Sequence, residues 1–149
     1  MAILAAEDSG GEYEQVPTGT HNAVCYQLVD AGTSIDDWQG KQTKRHFVYI
    51  FWELPDLPMA DGRPMSISLK YNLSLHESAK LRRHLQSWRN RAFTEEELKS
   101  FDLTQILGTN CKIDVGLNSN NRAKVLNVFA ADGGSKKVET VNEQTVFDL

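Results

Sequence analysis

The chain has 149 residues, 40% apolar and 24% charged, with a formal net charge of −4. That is enough for one domain with its own core, and no run approaches the roughly 18 apolar residues that a membrane span needs. Cys25 and Cys111 are too few for a cysteine zinc site; each sits in an apolar strand-like run, so two buried free thiols in a reducing compartment are expected. The charge is uneven: residues 1–40 hold seven acids and no Lys or Arg, residues 41–124 fourteen Lys or Arg against nine acids, and residues 125–149 two against four. A basic middle between acidic ends is a pattern of nucleic-acid-binding bodies.

In chain order, residues 1–15 read as a flexible acidic segment with no basic leader pattern, so no signal peptide is expected. "THNAVCYQLVDAG" predicts a first strand, with Ala23, Cys25 and Gln27 on one side and Val24, Tyr26 and Leu28 on the other. "GTSIDDWQGKQT" reads as a long polar loop. "KRHFVYIFWEL" is the strongest strand, aromatic and β-branched, ended by Pro55. "PDLPMADGRP" is a turn cluster, and "MSISLKYNL" alternates, with Met65, Ile67, Leu69, Tyr71 and Leu73 on one face. A helix is expected to begin at once, capped by Ser74 with Glu77 three residues on and burying Leu81, Leu85 and Trp88. Thr94 and Glu97 form a second capping box, and Gly108 stops the helical cover. "CKIDVGL" and "RAKVLNVFA" are the last two strands, joined by the turn "NSNN"; residues 132–149 read as a disordered tail.

Three strands, a helix and two strands is the order of the OB-fold. The expected class is therefore mainly β: a five-stranded antiparallel Greek-key barrel with a helix between strands 3 and 4, over residues 16–131. The rival is another small barrel or sandwich with a helix packed on it.

For catalysis the signal is poor, with no phosphate loop, GxSxG or HExxH. His76 and His84 lack ligand spacing, His21 and His46 stand alone, and Glu53, Asp56 and Asp61 read as a solvated loop rather than a metal site. No enzyme activity, metal or cofactor is expected. A single-strand groove needs positive charge to follow phosphates and aromatic faces on which bases stack. On strand 2, Val48, Ile50 and Trp52 are assigned inward, which leaves Phe47, Tyr49 and Phe51 outward beside Lys44 and Arg45. Lys70 on strand 3, Trp38 and Lys41 in the preceding loop, and Arg122 and Lys124 at the turn before strand 5 complete the candidate nucleic-acid-binding set. Arg82, Arg83, Arg89 and Arg91 of the helix read as a solvated face away from that platform, or as a secondary phosphate path.

The runs "YEQVPTGTH", "DDWQGK", "FWELPDLPMADGRPMSIS", "YNLSLHESAKLRRHLQSWRNRAFTEEELKSFDLTQILG" and "CKIDV" resemble, from Tyr13 to about Val115, a family of small proteins of tailed-phage replication modules. Some members of that family are regarded as OB-fold single-stranded DNA-binding proteins. The resemblance implies that fold and sequence-nonspecific single-strand binding in replication or recombination, in the cytoplasm of an infected bacterium. It does not identify binding residues. Val146, Phe147 and Leu149 at the end of the tail are a candidate recruiting segment for replication or recombination proteins. The alternative function is an OB-fold interaction protein that binds a replication or host protein through its aromatic face, with nucleic acid incidental.

Overall fold

The computed structural model describes residues 15–131 and 139–148. The expectations for residues 1–14, for 132–138 and for Leu149 therefore fall outside the described residues. Two long strands, β1 (Gly19–Trp38) and β2 (Lys41–Pro58), dominate the fold. They pair antiparallel out to Trp38 opposite Lys41, and Gln39 and Gly40 (φ 50° and 78°) close the hairpin. Positive φ at both central residues is what a two-residue type I′ hairpin requires, and it matches the twist of the strands. The expected polar loop is thus the tip of a β-ribbon. Beyond Thr33 and His46 the described side chains of the ribbon are all exposed, so no hydrophobic alternation marks it in the sequence.

The two faces of strand β2 are as expected, but the strand runs past Pro55, its expected end, to Pro58. Val48, Ile50, Trp52 and Leu54 are buried, while Phe47, Tyr49 and Phe51 face outward, half-buried. Strand β1 does not keep its simple alternation. Register shifts fall between Cys25 and Gln27 and between Asp30 and Gly32. An extra residue in a ladder reverses which side chains face inward. Ala23 and Cys25 share a side, as expected, and that side is the core; beyond the bulge it is Leu28, not Gln27, that joins them. Strand β3 (Pro64–Asn72) lays Met65, Ile67, Leu69 and Tyr71 on the core, and Leu73, just past its end, is exposed.

Helix α1 (Lys80–Arg89) starts later than the Ser74–Glu77 pattern predicts. Ala79 is its N-cap, with no side-chain cap bond. The Ser74 hydroxyl instead accepts from the His76 N–H (3.2 Å), closing a local turn, and Leu75 packs against the core. Such side chain-to-backbone bonds compete with helix formation. Leu81, Leu85 and Trp88 are buried as the spacing predicts. The second capping box forms at α2 (Glu95–Lys99): Glu97 N–H donates to Thr94 Oγ1, and Thr94 N–H donates to Glu97 Oε1. A single 3₁₀ turn (Leu103–Ile106) leads to β4 (Asn110–Leu117), which carries Cys111, Ile113 and Val115 into the core; Leu117 at its end is exposed. Strand β5 (Ala123–Ala130) adds Val125 and Val128. Both thiols are free and buried, and burial pushes that of Cys25 up to about 12.

The sheet order is β3-β2-β1-β4-β5, antiparallel throughout, and open between β3 and β5 among the described residues. A sixth strand, β6 (Thr145–Asp148), lies parallel to Gln27–Asp30 of β1. Part of the expected tail is therefore sheet. Its approach is anchored by Glu53, whose carboxylate is 1% exposed and accepts from the N–H groups of Val141 and Asn142. Glu53 is a buried anchor, not the solvated loop residue expected. Gln144 crosses so close to Gly108 that a Cβ there would come 2.7 Å from its amide nitrogen. No described helix is long and apolar enough to cross a membrane.

One polar pair sits inside. The Tyr71 hydroxyl lies 2.7 Å from His84 Nδ1, and both residues are 2% exposed. Burial raises the Tyr71 pKa, so its O–H donates and His84 stays neutral. Burial, then the charges of Arg83 and Lys80, hold the His84 pKa down to about 4. Above pH ~6.5 the imidazole is neutral folded or unfolded. As pH falls below that, only the unfolded chain takes up the proton, so stability declines, by about 2 kcal/mol at pH ~5. Urea melts at pH 7.5 and 5 check this; a His84→Gln variant should lose that part of the decline.

Candidate nucleic-acid interface

Cross-strand partners share a face, so the register defines the outer surface of the sheet. Phe47 is opposite Asn72 on β3, Tyr49 opposite Lys70 and Phe51 opposite Ser68. On the other side, Phe51 is opposite Gln27 and Tyr49 opposite Val29. Three outward rings two residues apart are spaced at about 7 Å. Tyr49 and Phe51 have centroids 6.4 Å apart, and Tyr26 meets Phe51 edge-on at 6.1 Å. The Lys70 ammonium stands 4.1 Å from the Phe47 ring centre and 6.0 Å from that of Tyr49. The expected platform is thus one row of half-buried rings with a cation over it. Tyr26 was not foreseen, because the cross-strand register that sets it beside Phe51 is not written in the local sequence.

The rest of the predicted set is spread along this row. Lys44 and Arg45 are exposed on the ribbon near Phe47, and Lys41 is exposed at the ribbon tip. Trp38 is opposite Lys41 in the ladder; its indole lies outside the described residues. Arg122 reaches the other end, where it lines a recess of about 280 Å³ with Phe51, Ser66 and Ser68. Lys124 does not join it. It lies near Lys80 of α1, with Arg83; burial, and then the charges of Lys124 and Arg83, depress the Lys80 pKa. That placement corrects the expectation of one groove for both residues. At the base of the ribbon His46 Nε2 bonds Asp30, whose carboxyl is held low first by the Gly32 N–H and then by His46.

The helix cations divide. Arg89 is structural: its guanidinium is 2.6 Å from Glu97 and lies over Phe93 (4.5 Å) and Phe101 (5.2 Å). Arg82 bonds the Leu75 carbonyl and Gln86, and Arg91 is 4.0 Å from Glu97. The solvated-face reading therefore fails for Arg89, whose side chain is only 12% exposed. Arg83 is exposed.

The carboxylates that the sequence clusters do not converge. Asp56 accepts from Asn22, Asp61 pairs with Arg63 and Glu53 is buried. Among the described residues no group of three His, Cys, Asp or Glu is placed to share a metal ion. No known family model matches the chain, and the search of curated proteins finds no relative of it.

Proposed function

We propose that the protein binds single-stranded DNA without sequence preference, in phage-type replication or recombination within the bacterial cytoplasm. It uses no cofactor and carries out no reaction. The observation that carries this reading is the outer row Phe47–Tyr49–Phe51 with Lys70 over two of its rings. Every base has a face that can stack, so such a row tolerates any sequence, while cations beside it follow the phosphates. The order β3-β2-β1-β4-β5, with a helix between β3 and β4, supports an OB-type architecture. The ribbon and the turn before β5 would then wall the groove. The same rings would suit a protein partner; the cation among them favours a polyanion.

The test is a fluorescence titration of labelled oligo-dT against duplex of equal length. Four phosphate contacts, from Lys44, Arg45, Lys70 and Arg122, predict a log–log salt slope of about −2.8, a loss of roughly 50-fold between ~50 and ~200 mM salt. Single strand should be preferred throughout. Equal affinity for duplex contradicts stacking, and no binding to either supports the protein-partner alternative.

A further inference from the structure

A cleft of about 620 Å³ opens at the Phe47 end of the platform, where β2, β3 and the 73–79 connection meet. Its walls include Lys44, Arg45, Lys70 and Lys80, with His46 and His76. Among the described residues no carboxylate side chain lines it; Asp30 is tied to His46, and Glu77 is exposed outside the wall. Like charges repel, so gathering Lys44, Lys70 and Lys80 around one cleft favours an anion between them. Lys80 stands on the rim and leads on to Arg83, one turn further along α1, and to Lys124 of β5. The first turn of α1, which also borders the cleft at Ala79, carries no acid and no side-chain cap. At the other end of the sheet, beyond Phe51, the anchored segment with Glu139 and Glu143 bounds the same face.

Resting on the single-strand reading above, we infer that the bound strand leaves the aromatic row through this cleft, its phosphates held by Lys80, Arg83 and Lys124 around the start of α1. The basic helix start then extends the binding site beyond the platform and sets its length. A strand just long enough for the three rings would not reach it; a longer one would.

The test compares a short oligo-dT of about 6 nucleotides with one of about 20, using Lys80→Ala with Arg83→Ala. Loss of two phosphate contacts should lower the long oligonucleotide's salt slope by about 1.4 and its affinity by roughly tenfold, with the short one unchanged. Arg91→Ala with Lys99→Ala removes the same charge from elsewhere on the helices and should leave both lengths unaffected. An unchanged long oligonucleotide, an equal loss at both lengths, or an equal loss in the control pair overturns the cleft path and leaves the platform standing. Wild-type protein that binds neither length overturns the platform reading itself. Melting temperatures of both double variants confirm that each is folded.

Discussion

Tyr49→Ala combined with Phe51→Ala should weaken oligo-dT binding by about 2–4 kcal/mol, roughly 30- to 1,000-fold, since each stacked base lost contributes ~1–3 kcal/mol. The fold should survive. Both rings lie on the outer face, half-buried, while the core beneath is closed by Ile50, Trp52 and Leu54. The salt slope should hold near its wild-type value, because no cation is removed. Anisotropy titrations with a parallel thermal melt measure both. A folded double variant that binds as wild type would show that the strand lies elsewhere.

Glu53→Ala should cost about 2–3 kcal/mol of stability, because two backbone N–H groups lose a charged acceptor in a largely buried place. Glu53 is 1% exposed, and its carboxylate bonds both Val141 and Asn142. Without it the approach to β6 should open locally before the core does. Amide exchange at residues 141–148 should then accelerate, while exchange at β2 residues such as Ile50 stays slow. Glu53→Gln keeps one acceptor and should lose about half as much. Unchanged exchange in the Ala variant would mean that β6 is held by its pairing with β1 alone.

How much of this was legible in the sequence depends on the range of the interaction. The two faces of β2 were readable, because alternation is local and β-branched and large apolar residues filled the inner set. The Thr94 capping box was readable for the same reason. The Ser74–Glu77 pattern was equally local, yet the structure closes a turn on Ser74 and draws Leu75 inward, delaying the helix to Lys80. Local patterns yield where packing competes with them. The ribbon was invisible because its described side chains are exposed on both faces, so Ile35, 59% exposed, had no periodic partner. Glu53 could not be assigned, since its acceptors' donors come from a segment almost ninety residues away and carry no side-chain signature. The candidate platform was legible as residue types; the strand register that sets Tyr26 against Phe51, and the separation of Lys124 from Arg122, required the fold.

The most direct measurement is photocrosslinking of an oligonucleotide carrying 5-iodouracil at successive positions, with the attached peptides read by mass spectrometry. Stacking brings the base face against an aromatic ring, so the crosslinks should fall on Phe47, Tyr49 and Phe51, and excess unlabelled single strand should abolish them. Crosslinks confined to β4 and β5, or none at saturating protein, would contradict a strand bound on the outer face of β2.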